Sequence, residues 1–137
     1  MIKTICFLLL CLLTSCASYT IEPLSLADQL KSNQKPNEPN KLQNITHVKY
    51  KSNNLSKIKC IDKNGKEVWL KVDGNTMVQF KKKDGTYTQA YFESVTLSND
   101  TLYSIESRIA GGHQVTLLEQ IENAKIKAEF PKTEPVK

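Results

Sequence analysis

The side chains best suited to covalent chemistry are the four cysteines, at positions 6, 11, 16 and 60, because a thiolate is a strong nucleophile near neutral pH. Three of them fall within the first sixteen residues. Cys60 stands apart in Lys57-Ile58-Lys59-Cys60-Ile61-Asp62, a strand-like run in which a free cysteine acts as a small buried hydrophobe. Burial there raises its pKa and makes it a poor nucleophile. His47 and His113 are 66 positions apart, and neither has a partner at helical or strand ligand spacing, so no metal site is expected. Asp100 and Glu106 could be paired as the two carboxyls of a glycosidase. Asp100, however, sits in a turn sequence and Glu106 on the solvent side of a strand pattern. Gly111-Gly112 lacks the lysine and helix that a phosphate-cradling loop requires. The reading is of a chain with no catalytic residues, no metal and no cofactor.

The chemistry of Cys16 depends on what surrounds it. Lys3 supplies a positive start, Ile5 to Leu13 an apolar run, and Thr14, Ser15, Ser18 and Thr20 interrupt that run. A membrane-crossing helix needs about 20 apolar residues, so this segment reads as a cleaved targeting peptide. Leu13-Thr14-Ser15-Cys16 resembles the lipobox of bacterial lipoproteins: an aliphatic residue, two small residues, then cysteine. The resemblance implies diacylglycerylation of the Cys16 thiol and cleavage by signal peptidase II between Ser15 and Cys16. It also implies N-acylation, palmitate included, of the new terminus. Ala17 and Ser18 follow, and neither is the Asp that in enterobacterial lipoproteins favours retention at the inner membrane. The expected location is therefore the cell envelope, lipid-anchored and, in a Gram-negative cell, at the outer membrane facing the periplasm.

Length and charge narrow the remainder. Removing residues 1–15 leaves 122 of 137, enough for one domain. The whole chain carries +5, and Arg108 is the only arginine. Nucleic-acid binding would call for arginine forks and an aromatic-interleaved basic stripe, so no nucleic-acid partner is expected. With Cys16 committed to lipid, Cys60 has no partner for a disulfide within the mature chain.

The polar, proline-containing stretch from 16 to 44 reads as a flexible tether, with a helical turn or two at Leu24 to Leu30. Residues 131–137 read as a disordered tail. Between them, 45–130 repeats one pattern of β-branched and aromatic runs separated by turns. The turns are Asp62-Lys63-Asn64-Gly65, Asp73-Gly74-Asn75, Lys83-Asp84-Gly85 and Ser98-Asn99-Asp100. Strands are expected at about 45–51, 55–62, 66–72, 76–82, 87–97, 101–108, 114–118 and 125–130, with a short helical turn near 118–123. Val68, Leu70 and Val72 share one face, opposite Trp69 and Lys71. The fold class is mainly β: a small antiparallel meander curled into an SH3-like or Sm-like barrel or a rolled sandwich.

Lys83-Asp84-Gly85, Asn99-Asp100-Thr101, Gln114-Val115 and Ile121 are similar to turn and core positions of the small SH3-like envelope lipoproteins of enterobacteria. The similarity covers roughly residues 78–126, and members of that family have no assigned catalytic activity. Two residues offer partner contact. Trp69 is either an exposed aromatic suited to a protein or glycan, or a cover for the sheet's second face beneath an N-terminal strand or the tether. Arg108, beside Glu106 and the Gly111-Gly112 loop, is a polar contact point. The function expected is a non-enzymatic binding or assembly module with membrane lipid held through Cys16 and an envelope protein or glycan as partner. Two alternatives stay open: an immunity or exclusion lipoprotein against a toxin or phage factor, and an enzyme acting on envelope polymers.

Overall fold

The computed structural model describes residues 16–33, 42–45, 48–107 and 111–137. Residues 1–15, with Ser15 among them, His47 and Arg108 lie outside the described residues. The molecule is mainly β, built from antiparallel sheets with, among the described residues, one α-helix and two 3₁₀ turns.

The tether expectation is overturned for residues 16–33. β1 (Cys16–Ile21) is a central strand, and α1 (Pro23–Ser32) follows directly. The polar look of this stretch comes from alternation: Tyr19 and Ile21 are buried while Ser18 and Thr20 face solvent. Pro23 at the helix start fixes the backbone angle a first turn needs, and Leu26, Ala27 and Leu30 then fall on one face at helical spacing. All three are within 3% of full burial. Each leucine contributes about 2 kcal/mol by leaving water, which sequence polarity averaged over the segment conceals.

The large sheet has seven strands in the order β12-β5-β4-β1-β11-β6-β7. These are β4 (Lys57–Ile61), β5 (Glu67–Lys71), β6 (Met77–Lys82), β7 (Tyr87–Tyr91), β11 (Ile121–Glu129) and β12 (Thr133–Pro135), together with β1. A smaller sheet is formed by β8 (Thr96–Ser98), β9 (Thr101–Ser107) and β10 (Gly111–Leu117) in the order β10-β9-β8. β2 (Leu42–Ile45) and β3 (Val48–Lys51) pair as a separate hairpin, so the domain boundary expected at 45 falls inside a strand. The expected turns form as read. Gly65 and Gly85 take positive φ of 77° and 88°, and the Asp62 and Asp84 carboxylates accept backbone N–H groups within their own turns.

β1 pairs with β11 over its whole length, from Cys16 opposite Glu129 to Ile21 opposite Ala124, but meets β4 only at Thr20 and Ile61. The backbone of Lys59, on the β1 side of β4, is completed by a side chain: Gln29 of α1 accepts from Lys59 N–H at 2.8 Å and donates to its carbonyl at 2.9 Å. The residues 131–137 expected as a disordered tail include β12, which pairs with β5 through Thr133–Leu70 and Pro135–Val68. This pairing requires curvature. Four strand spacings of about 4.8 Å separate β11 from β12 in a flat sheet, roughly 19 Å, whereas the chain from Glu129 to Thr133 reaches at most about 14 Å. The sheet therefore bends, although it forms no closed barrel.

The run expected as one strand at 87–97 is broken by a 3₁₀ turn at Phe92–Ser94, where the chain leaves the large sheet for the small one. Asn53, buried, donates to the Phe92 carbonyl at 2.8 Å and accepts from Leu55 N–H at 3.0 Å. Ser94 Oγ donates to Tyr91 O and accepts from Ile105 N–H. These bonds satisfy polar groups that the corner would otherwise bury unpaired. The core inside combines Val68 and Leu70, as the alternation predicts, with Val78, Phe80, Phe92, Ile126 and the α1 leucines.

Candidate functional site

A cleft of about 770 Å³ lies among the described residues where several chain segments meet. Glu22, Pro23 and Leu24 enter from the β1–α1 junction, and Leu117 to Glu119 from the end of β10. Ile121 and Glu122 begin β11, and Asn99 and Asp100 form the tip of the β8–β9 hairpin. Its floor is the nearly buried Leu118 and Ile121, and its walls include Leu24 and Leu117, 71% and 40% exposed.

Backbone hydrogen bonds lock these segments together. Asn99 and Asp100 both take positive φ, 50° and 59°, which suits the tight hairpin turn read from the sequence. Leu118 N–H then donates to Asp100 O at 2.9 Å, and Lys83 N–H to Gln120 O at 2.8 Å. The 3₁₀ turn Leu118–Gln120, expected near 118–123, is thus clamped between two hairpin tips. A register shift between Ile121 and Asn123 against β6 places Glu122 at the mouth.

The rim is acidic: Glu22, Asp100, Glu119 and Glu122 against Lys83. Lys31 reaches Asp100 and Lys81 reaches Glu122, each at 3.7 Å across exposed surface. Aliphatic walls with a carboxylate rim suit a ligand with an apolar face and positive charge, and the volume falls in the range of small-ligand and peptide-side-chain pockets. No histidine or cysteine lines the cleft.

The chain matches no family model, no curated protein and no solved structure.

Trp69, singled out from sequence, is half-buried on β5. Lys57 and Lys59 place their ammonium groups 4.7 and 5.7 Å from its ring centroid, within cation–π range. Beside it runs a shallow groove of about 440 Å³ lined by Lys71, Lys132, Thr133 and Glu134. Trp69 does not join the acidic cleft. Cys16 opens β1 opposite Glu129, and Arg108 lies outside the described residues.

Cys60 is buried at 2% exposure. Burial, reinforced by the nearby Asp62 carboxylate, pushes its thiol up to about 12. Burial likewise raises the Tyr19 phenol, with Cys60 and Asp62 adding to the effect. His113 is exposed on β10. Among the described residues, no three His, Cys, Asp or Glu side chains converge on a metal-sized site. Nor is any described helix long and apolar enough to cross a membrane. The cleft escaped the sequence reading because its carboxylates come from positions 22, 100, 119 and 122, with no local spacing to betray them. The only visible signals were the Asn99-Asp100 turn and the break after Leu117.

Proposed function

We propose that the mature chain begins at Cys16, carries a diacylglyceryl thioether there, and serves as a non-enzymatic binding module of the cell envelope. The run Leu13-Thr14-Ser15-Cys16 carries this reading. The fold supports it in one respect: cleavage before Cys16 would keep Cys16–Ile21 of β1 and its pairing with β11.

The acidic cleft is the surface that would meet the partner. Cys16 stands at one end of the β1–β11 pair and the cleft residues Glu22, Ile121 and Glu122 at the other. Six steps along the strand, about 20 Å, take the chain from Cys16 to Glu22, so an anchor at Cys16 leaves the cleft away from the lipid. The partner it suits is a basic amphipathic segment of an envelope protein. The same acidic mouth would also serve an immunity lipoprotein capturing a cationic toxin segment.

Intact mass of the membrane-fraction protein tests the anchor. The expected product is the chain from Cys16 plus diacylglyceryl, absent from Cys16→Ser; an unmodified chain in the wild type refutes the anchor. A synthetic amphipathic Leu/Lys peptide tests the cleft. Glu22→Lys with Glu119→Lys should weaken its binding about tenfold and remove most of its salt dependence. Unchanged affinity would show that the cleft is not the binding surface.

A further inference from the structure

We infer that the rim around Cys16 is itself a membrane-contact surface, in which Phe130 enters the bilayer interface and Trp69 and its lysines lie at headgroup level. This rests on the lipid-anchor reading above and adds an orientation to it.

Phe130 is the observation that demands an explanation. It is 77% exposed and holds φ at +49°, a left-handed conformation that bulky residues rarely adopt. The chain must turn there to carry β11 across to β12, yet an Asn or Gly would make that turn with less strain and no exposed ring. Folding gains little from an aromatic at this point.

Its position supplies the reason. Cys16 is register partner to Glu129, and Phe130 comes next. A paired Cα–Cα distance of about 5 Å and one further step of about 3.8 Å place the Phe130 backbone within about 9 Å of that of Cys16. Because Cys16 is itself paired within the sheet, no tether separates an acyl chain on that residue from this surface.

The surroundings continue the same chemistry. Lys71 and Lys132 lie beside Phe130 on one side and beside Trp69 on the other. Lys57 then stacks on Trp69. Aromatic rings flanked by lysines, whose stems lie on apolar surface while their ammonium groups reach water, are the residues that favour a membrane–water interface. Asp73, Glu129 and Glu134 share the rim, so aromatic insertion rather than net charge holds it to lipid. The acidic cleft lies at the far end of β1 and β11.

The chain has one tryptophan, which makes the test direct. In Trp69→Phe/Phe130→Trp, the full chain purified from membranes carries its single indole at the position in question. Reconstituted into phosphatidylglycerol/phosphatidylcholine vesicles with brominated acyl chains, its emission should shift to the blue and be quenched by the bromolipid. Aqueous iodide should then quench it several-fold less than in detergent-free protein without vesicles. Emission that stays accessible to iodide and insensitive to bromolipid overturns the inference.

The intact mass of the same sample separates the two readings. A lipidated chain with a water-exposed indole keeps the anchor and removes the membrane rim. A chain without lipid removes the anchor, and its emission after addition to the same vesicles then decides the rim alone. If iodide protection instead arises in solution from self-association, without bromolipid quenching, the rim is a contact between copies and the inference also falls.

Discussion

At the residue scale, Cys60 shows how position overrides chemical potential. Its thiol has the composition of a nucleophile, but the interior of β4 raises its pKa from 9.0 to about 12, through burial first and Asp62 second. A thiol that ionises less readily when folded stabilises the fold fully below about pH 9, the unfolded value, and loses that contribution as pH rises towards about 12. Native protein should therefore resist a thiol-specific disulfide reagent at about pH 8 and react fully once denatured. Its unfolding free energy should also fall above pH 9 more steeply than that of Cys60→Ala. Rapid labelling of the native chain would contradict this burial. Asp84 is the opposite case, an exposed turn carboxylate whose pKa is lowered by hydrogen bonds from the Thr86 hydroxyl and backbone. That turn was readable from Lys83-Asp84-Gly85, since the chemistry of a tight turn is local.

At the element scale, α1 and β4 depend on each other through one amide. Gln29 supplies Lys59 with both a donor and an acceptor, the bonds that a neighbouring strand would otherwise make. Gln29→Ala removes both and leaves two partly buried backbone groups to find water, at a cost of about 2 kcal/mol. Chemical denaturation should show this as a lower midpoint with an unchanged slope, whereas Gln29→Glu keeps the acceptor and loses the donor, so it should fall between. A wild-type midpoint in Gln29→Ala would mean that β4 does not use the helix in this way. Nothing in the sequence around Gln29 marks it, because its partner is thirty residues away. The strands from β4 to β7 were legible for the contrary reason: each announces its buried face by alternation, and glycine or asparagine closes each turn.

At the scale of the whole molecule, the curled sheet gathers three surfaces from distant parts of the chain. One end has Cys16, Glu129 and Phe130, and the other has the acidic cleft. Trp69 and its lysines lie along β12. The sequence alone determined the mainly β class, the turn positions, the apolar face of β5 and β6 and the interior position of Cys60. Those features follow from backbone conformational limits and a period of two, both of which act over a few residues. It also carries the Leu13-Thr14-Ser15-Cys16 run on which the anchor proposal rests. Only tertiary structure decided that residues 16–33 are folded rather than a tether, that β12 closes on β5, and that four scattered carboxylates form one rim. A polar-looking segment becomes a central strand when β11 supplies hydrogen bonds to its backbone and the core receives its alternate side chains. Both partners lie more than a hundred positions along the chain from β1 or on the far side of the fold, so no local pattern could disclose them.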